Sequence, residues 1–327
     1  MKRRSMLAVV LLGLAPARWI GAQAPQKVFR VAFLAQGGRT SDGNAPAALR
    51  EALKALGYVE GRNVTFESRF AEAVAERLPA LAAELVGLKP DVIVVLGGIA
   101  TFAARNATTT VPIVSAATGG DMVAIGLIAS AARPGGNITG LTDETGLLSA
   151  KRMQILKETV PNAARIAVIW NADDQGMTTR YREIEKAARV LKVEVQALAV
   201  RRPEDFSGAL GEMTRSRPDA VFLVADGLTF LNRKQVIDFA AAQRIPAMYE
   251  GSGYVNSGGL LSYGPSAEEN YKRTAGYLDR IFKGAKPADL PAEYPTRYYL
   301  TLNLKTAETL GLTIPPALLI RADEIVK

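Results

Sequence analysis

The residue types that could carry chemistry in this chain are restricted, because its 327 residues include no cysteine and no histidine. Disulfides, zinc or iron sites built from soft ligands, cysteine nucleophiles and Ser-His-Asp triads are therefore excluded. No G-x-G-x-x-G motif follows a predicted strand and no Gly-Lys-Ser/Thr sequence occurs, so the nucleotide-binding fingerprints are missing as well. The sequence predicts no catalytic residue, no metal site and no cofactor.

One short segment has the pattern of a ligand-binding loop. The run "DVIVVL" is rich in β-branched residues and ends at Gly97 and Gly98, and a small-residue helix with Thr101 in its first turn follows at once. Ligands of open parallel sheets bind beyond the carboxyl ends of the strands, where helix N-termini present free N–H groups. Without a lysine in the loop, this arrangement favours a carboxylate or amide over a phosphate. A tight turn without a ligand is the alternative interpretation.

Other predicted strands end in polar, aromatic or glycine residues that could face the same cleft. The full set of candidate ligand-binding residues is Gln36, Gly97, Gly98, Thr101, Thr118, Asp121, Trp170, Asn171, Asp226, Gly227, Tyr249, Glu250 and Tyr263. Two of them have an ordinary structural alternative, since Asp121 could cap its helix and Trp170 could belong to the core. Together the set favours a planar or aromatic carboxylate, including an amino acid.

Each part of such a ligand has candidate partners. The carboxylate would bind Gly97, Gly98 and Thr101. The candidates for a stacking face are Trp170, Tyr249 and Tyr263. The candidates for pairing with an ammonium group are Asp121, Asp226 and Glu250. A sugar would also use aromatic rings and carboxylates, so a sugar ligand stays open.

The elements that position these residues alternate between short apolar strands and amphipathic helices. Predicted strands include "VFRVAFL", "NVTFES", "DVIVVL", "VPIVSAA", "ARIAVIW" and "RPDAVFLVADG", and predicted helices include 45–57, 74–88 and 121–132. Strands separated by helices form right-handed crossovers and a parallel sheet covered on both faces. The sequence therefore predicts an α/β fold of the doubly wound class.

The same order of elements occurs twice. "ARIAVIW" repeats the position of "FRVAFLA", and "RPDAVFLVADG" repeats that of "KPDVIVVLGG". A late helix begins at Ser266 with the capping box Ser266-x-x-Glu269 and ends at Gly284. The repeat predicts two similar lobes, and a chain that passes between them more than once forms a hinge that permits closure.

The first 24 residues have the pattern of a secretory signal peptide. Three basic residues at the start precede an apolar run that ends before Pro16, and Ala22-Gln23-Ala24 forms an A-x-A cleavage site. The run is too short to cross a bilayer, which takes about 20 apolar residues. Without this leader the chain keeps 36 basic and 32 acidic residues, so its net charge falls from +8 to +4. We therefore expect an exported, periplasmic protein that does not bind nucleic acid.

Five further segments resemble the ABC-transporter substrate-binding protein family that includes the tryptophan-binding type. They are "LGYVEGRNV", "RPGGNITG", "GGLLSYGPS", "KGAKPADLP" and "LNLKTAETLGLTIPPALLIRADEI". The resemblance implies a type I periplasmic binding protein fold, with two doubly wound lobes joined by a multi-crossover hinge of three crossovers. One departure is that Asp121-Met122-Val123 replaces the family's usual Asp-Pro-Val.

The resemblance also implies how the chain is divided. Residues 25–140 and 265–288 would form lobe I, and residues 141–264 and 289–327 would form lobe II, after a signal peptide at 1–24. The implied function is that of a monomeric receptor that captures a small organic ligand between its lobes. It would present the ligand to an ABC permease and ATPase complex at the inner membrane. The alternative is an exported doubly wound enzyme that acts on sugars or nucleotides with carboxylate acid and base residues.

We expect the exported chain to begin at Pro25. Signal peptidase cuts after the small residues of an A-x-A site, and no cysteine is present for lipid attachment. Intact-mass measurement of the protein recovered from a periplasmic extract checks this prediction. A mass that still contains residues 1–24 would contradict it.

Overall fold

The computed structural model describes residues 27–143 and 146–327 of the chain. The predicted signal peptide at 1–24 lies outside the described residues. The described chain forms two open sheets, one of five and one of seven strands. Each sheet with the helices packed against it is called a lobe below.

Strands and helices alternate along most of the chain. The strands are β1 (Phe29–Ala35), β2 (Val64–Phe70), β3 (Val92–Leu96), β4 (Ile113–Ala117), β5 (Ile138–Gly140), β6 (Arg165–Asn171), β7 (Glu194–Val200), β8 (Ala220–Leu223), β9 (Ala247–Tyr249), β10 (Leu261–Gly264), β11 (Tyr299–Asn303) and β12 (Glu324–Val326). The helices are α1 (Ala47–Ala55), α2 (Leu78–Gly87), α3 (Gly98–Ala107), α4 (Gly146–Thr159), α5 (Gln175–Val190), α6 (Asp205–Ser216), α7 (Gly227–Leu231), α8 (Arg233–Gln243), α9 (Ser252–Val255), α10 (Ala267–Phe282), α11 (Leu304–Leu310) and α12 (Pro316–Arg321). Short 3₁₀ turns cover Ala75–Arg77 and Pro287–Asp289.

The two sheets share one strand order. The first is β2-β1-β3-β4-β5 with all pairs parallel, and the second contains β7-β6-β8-β9-β10 in the same arrangement. The second sheet then continues with β11, which is antiparallel to β10, and with β12. This confirms the predicted α/β class with two doubly wound lobes, and it adds one antiparallel pair to a mostly parallel architecture.

Both faces of each sheet are buried, as the apolar strand sequences require. In β1, Ala32 and Leu34 belong to one apolar cluster, whereas Val31 and Phe33 belong to another. Successive side chains of a strand point to opposite faces, so an uninterrupted apolar strand needs helices on both sides. In the second sheet, the interior strand β6 divides its side chains between two clusters in the same way.

The predicted helix 121–132 is wrong. This stretch consists of turns, although Met122, Ile125, Leu127 and Ile128 are buried in the first lobe. The Asp121 carboxylate accepts bonds from the N–H groups of Val123 and Ala124, and the chain reverses at Gly126, where φ is +73°. A glycine in the left-handed region ends a helix after its first turn. Apolar spacing alone therefore gave a misleading signal here.

The chain passes between the lobes at three places. It leaves β5 for α4, leaves β10 for α10, which packs against α1 and β4 of the first lobe, and finally enters β11 of the second sheet. Before that last passage, Glu293 pairs with Leu141 beside β5, and the Ala292 N–H donates to the carbonyl of Ala131. Contact with the first lobe thus extends past residue 288, where the predicted boundary lies.

A glycine at the end of β10 is required by the close packing of the hinge. A Cβ atom on Gly264 would overlap the carbonyl oxygen of Glu250. We expect Gly264→Ala to lower the free energy of unfolding by about 1–3 kcal/mol, as overpacking usually does. Urea denaturation of the purified protein measures this change.

Gly276 supplies the matched control for this substitution. It lies in α10, and no atom of the described residues is within 4 Å of its Cβ position, so Gly276→Ala should stabilise the protein by about 0.5–1 kcal/mol through helix propensity. Equal effects of the two substitutions would contradict the proposed overlap.

Candidate functional site

A cavity of about 380 Å³ lies between the lobes, at the carboxyl ends of the strands of both sheets. From the first lobe, residues after β1, β3 and β4 line it, and from the second, residues after β6, β8 and β9 line it. The strand-end residues that line it are Gly37, Gly97, Thr118, Asp174, Asp226 and Glu250. The repeated strand order therefore places equivalent loops of the two lobes face to face.

Much of the cavity wall is apolar. Its larger apolar and aromatic side chains are Phe33, Phe70, Leu96, Met177, Phe230, Tyr254 and Tyr271. Four of these seven lie in the first lobe, whereas the arginines and most carboxylates of the wall belong to the second. The cavity thus has an apolar side and a charged side.

The lobes meet through glycines, so the structure is a closed form. A Cβ atom on Gly227 would lie 2.7 Å from the backbone nitrogen of Gly37, and one on Gly120 would lie 3.0 Å from the Cα atom of Gly176. The side-chain amide of Gln36 also donates across the gap to Asp226 Oδ2 at 3.0 Å. Only glycine permits two backbones to approach this closely, so these glycines are the places where the two lobes are in contact.

The charged side of the cavity contains a buried network of ion pairs. Glu250, which is 4% exposed, accepts from Arg152 Nη1 at 2.6 Å and from Arg180 Nη1 at 2.5 Å. Arg180 Nη2 also donates to Asp143 Oδ2 at 3.2 Å, and the same oxygen accepts from the Gly119 N–H at 2.9 Å. Arg152 Nε donates to the carbonyl of Tyr263 at 2.6 Å. The network joins the crossover after β5 to both lobes.

The network keeps Glu250 ionised. Burial by itself would raise the pKa of this carboxyl, but the charges of Arg152 and Arg180 and a bond from the Ala225 N–H outweigh it, so the pKa lies below its ordinary value. A buried carboxylate is stable only when it is paired and hydrogen-bonded in this way.

Asp174 is in a different state, although it also lines the cavity. It caps α5 through Oδ1, which accepts from the N–H groups of Gly176 and Met177, but Oδ2 has no hydrogen-bond partner among the described residues. Burial and, after it, the charge of Asp226 raise the pKa of Asp174 to about 6. Burial also raises the pKa of Asp226 itself.

The structure brings about half of the predicted site residues into the cavity wall. These are Gly97, Gly98, Thr118, Asp226, Gly227 and Glu250. Gln36 and Asn171 lie directly behind the wall, where their amide groups donate to Asp226 at 3.0 and 2.6 Å. The strand-end rule therefore located the cleft.

The remaining predicted residues have structural contacts instead. Trp170 stacks on Tyr181 with ring centroids 3.8 Å apart, and Tyr249 stacks on Tyr254 at 5.2 Å. Tyr263 contributes its carbonyl to Arg152, and its ring lies beside Tyr298.

Two further candidates, one with a hydroxyl and one with a carboxyl group, also form their hydrogen bonds outside the cavity. The Thr101 hydroxyl donates to the Gly97 carbonyl at 2.8 Å, and Asp121 caps a turn while accepting from Tyr294. The structural alternatives for Asp121 and Trp170 are thus the ones observed, although the helix expected after Asp121 is a turn.

Sequence reasoning missed the four charged residues Asp143, Arg152, Asp174 and Arg180. Arg152 carried a signal, because it shares one helix face with Leu148, Ser149 and Leu156, all of which are buried. An arginine on the apolar face of a helix needs a buried acidic partner. Asp174 carried a weaker signal as the first helix-capping residue after β6.

A family model described as "ABC transporter substrate binding protein" matches residues 41–326. The chain belongs to this family. A curated relative, the tyrosine-binding protein of Clostridioides difficile, is 24% identical over 262 residues, which cover 80% of this chain and 75% of that protein.

Two solved structures share the fold of this family member across nearly its whole length. One is a conserved domain protein from Vibrio cholerae, with a TM-score of 0.84, 26% identity, and coverage of 91% of this chain and 100% of that chain. The other is the ABC domain from Streptococcus pneumonia in complex with L-Trp, with a TM-score of 0.84, 23% identity, and coverage of 92% and 100%. These likenesses confirm the predicted type I periplasmic binding protein fold.

The buried network should be essential for stability. Glu250→Gln would leave Arg152 and Arg180 without their shared counter-charge, so we expect a loss of about 3–5 kcal/mol in the free energy of unfolding. Chemical denaturation checks the value. Glu194→Gln is the control, since its pair with Arg165 is exposed and should contribute at most about 1 kcal/mol. Similar losses for both variants would contradict this assignment.

Proposed function

We propose that this family member is the periplasmic receptor of an ABC importer and that it captures a small aromatic carboxylate, with aromatic amino acids as the first candidates. The observation that carries the proposal is the cavity enclosed between two closing lobes, with an apolar side and a charged side. A ligand that contacts both lobes stabilises the closed state by its differential affinity for that state. Such a ligand must itself have an apolar part and a charged part.

The size of the cavity supports a ligand as small as an amino acid. Pockets for small molecules span about 300–1,000 Å³. At about 380 Å³ this cavity lies near the lower end of that range. The rings of Phe33, Phe70 and Tyr271 suit a flat apolar group better than a chain of hydroxyls.

The names of the relatives support the same ligand class. The curated relative is a tyrosine-binding protein, and one of the solved structures contains L-Trp. In this chain the aromatic wall of the cavity is the feature that would recognise such a ring.

The enzyme alternative would use Asp121, Asp226 or Glu250, and each of these carboxylates is already engaged, although Asp226 and Glu250 line the cavity. Asp121 caps a turn and contacts Tyr294, Glu250 is bound by two arginines, and Asp226 accepts from Gln36 and Asn171. Acid and base catalysis of sugar hydrolysis needs two carboxyl groups held on either side of the substrate. Binding without chemistry is therefore the better-supported function.

Delivery of the ligand would follow export of the receptor. In the part of the chain that the structure describes, no helix is long and apolar enough to cross a membrane. The predicted leader at residues 1–24 would direct export, and a monomeric receptor in the periplasm would present its ligand to the permease and ATPase.

A thermal-shift screen tests this function. The compounds are aromatic amino acids, aromatic acids without an amine, branched acids, short peptides and neutral sugars. A ligand at 100 times its dissociation constant should stabilise the receptor by about 2.7 kcal/mol. We expect aromatic amino acids to raise the melting temperature and to reduce the radius of gyration in small-angle scattering, because the lobes close around the ligand.

Each alternative gives a different result in this screen. A response to neutral sugars alone would contradict the aromatic carboxylate class and leave the receptor function in place. Turnover of a bound compound, detected by mass spectrometry, would favour the enzyme alternative.

A further inference from the structure

Two ionisable side chains of opposite charge at the cavity each keep one polar atom unsatisfied. Asp174 Oδ2 lacks a donor and Arg180 Nε lacks an acceptor within the part of the chain that the structure describes. Both residues line the cavity, and they are only 2% and 5% exposed. Buried polar atoms in native proteins are nearly always paired, so two orphans of opposite charge at one cavity indicate a missing partner.

The two residues lie near the N-terminal end of one helix. Asp174 caps α5, and Arg180 lies six positions later. This separation corresponds to about 9 Å along the helix axis, and a long side chain in a helix points back toward the N-terminus. The charge of Arg180 acts to lower the pKa of Asp174, but burial and the charge of Asp226 outweigh it.

We propose that Asp174 Oδ2 and Arg180 Nε bind the ammonium and carboxylate groups of a zwitterionic α-amino acid. This inference rests on the proposed receptor function and specifies the head group of its ligand. An ammonium offers the donor that Oδ2 lacks, and a carboxylate offers the acceptor that Nε lacks. The apolar side of the cavity, with Phe33 and Phe70, would hold the side chain of the amino acid.

The other atoms of both residues are fixed in place. Asp174 Oδ1 is held by the first turn of α5, and the Nη atoms of Arg180 bind Glu250 and Asp143. The unsatisfied atoms are therefore held in position before the ligand arrives, which lowers the entropic cost of binding.

In this proposal the carboxylate of the ligand does not bind at the N-terminus of α3, where the sequence predicted it. Asp174 Oδ2 lies 3.1 Å from the Cβ position of Gly98, so a negative charge is already next to the first turn of that helix. A ligand carboxylate at the same place would be repelled, whereas its ammonium would be attracted.

The same carboxylate couples ligand binding to closure. In the closed form Asp174 is buried beside Asp226, the N-cap of α7, and the charge of Arg180 in α5 also acts on it. The first turn of α3 covers it from the other lobe without an ionisable side chain. Burial and Asp226 raise the pKa of Asp174 to about 6. A ligand ammonium stabilises the ionised form, so affinity should fall as the pH drops below about 6 and the carboxyl takes up a proton.

Calorimetric titration with three sets of compounds tests the head group. Each set contains an aromatic amino acid (L-phenylalanine, L-tyrosine or L-tryptophan), the 3-arylpropanoate without the amine, and the arylethylamine without the carboxylate. We expect the amino acid to bind about thirtyfold or more tightly than either analogue, because each analogue leaves one buried charge of the protein without its partner. Affinity of an analogue within threefold of the amino acid would overturn the assignment while leaving the receptor function intact.

Asp174→Asn separates recognition of the ammonium from folding. Asparagine keeps an oxygen that can cap α5 but replaces the anionic acceptor, so affinity for the amino acid should fall about thirtyfold while affinity for the 3-arylpropanoate stays within threefold. Asp173→Asn is the control, since this neighbouring carboxylate is exposed and pairs with Arg201. Equal losses for both compounds in Asp174→Asn would overturn the ammonium site.

One combination of binding results would bear on the proposed function itself. Failure of all nine compounds to bind, together with binding of a sugar from the wider screen, would overturn both the head-group site and the aromatic ligand class. The receptor function would then still stand, because a solute binds between the lobes. The two failures are thus distinguishable.

Discussion

The ion pairs of Glu250 with Arg152 and Arg180 are the interaction on which the rest of this structure depends. A buried carboxylate is tolerated only with full compensation, and here two guanidinium groups and a backbone N–H supply it. Those groups come from α4, from α5 and from the segment after β8. Through Asp143 the same network fixes the crossover after β5 and contacts Gly119 of the first lobe. One cluster of charges therefore sets the positions of the helices, the hinge and one wall of the cavity.

Closure depends on a second constraint, which is steric. At Gly37 and Gly227, and again at Gly120 and Gly176, the backbones of the two lobes lie so close that a Cβ atom on Gly120 or Gly227 would find little or no room. The closed form consequently buries the strand-end loops of both lobes around a small space. In that space Asp174 is deprived of solvent, which disfavours its ionised form. Steric fit permits closure, and under the proposed assignment a ligand ammonium would offset the cost of burying this carboxylate.

Much of the fold followed from local sequence. Apolar runs that end in glycine or polar residues, such as "DVIVVLGG", recur in the second half of the chain as "RPDAVFLVADG". This repetition predicted two lobes of parallel strands. Both runs contain a buried strand in the structure. The segment after Asp121 was predicted as a helix, and its buried residues Met122, Ile125 and Ile128 do have near-helical spacing. A side-chain cap and a left-handed glycine nevertheless make it a loop. Spacing records which residues are buried, and several backbone shapes can bury the same set.

By itself the sequence determined the class of fold and the edge of the sheets where the cleft forms, because strand periodicity and chain connectivity are local properties. Glu250 and Asp226 could be placed near the cleft for that reason. Only the tertiary structure decided the state of each side chain there. Arg180 and Glu250 are 70 residues apart and Arg152 and Glu250 are 98 apart, so no local pattern shows that they pair. Trp170 lies in β6 and Tyr249 ends β9, but packing placed their rings in stacks away from the cavity. Helices cover both faces of these interior strands, so their side chains are buried in the core.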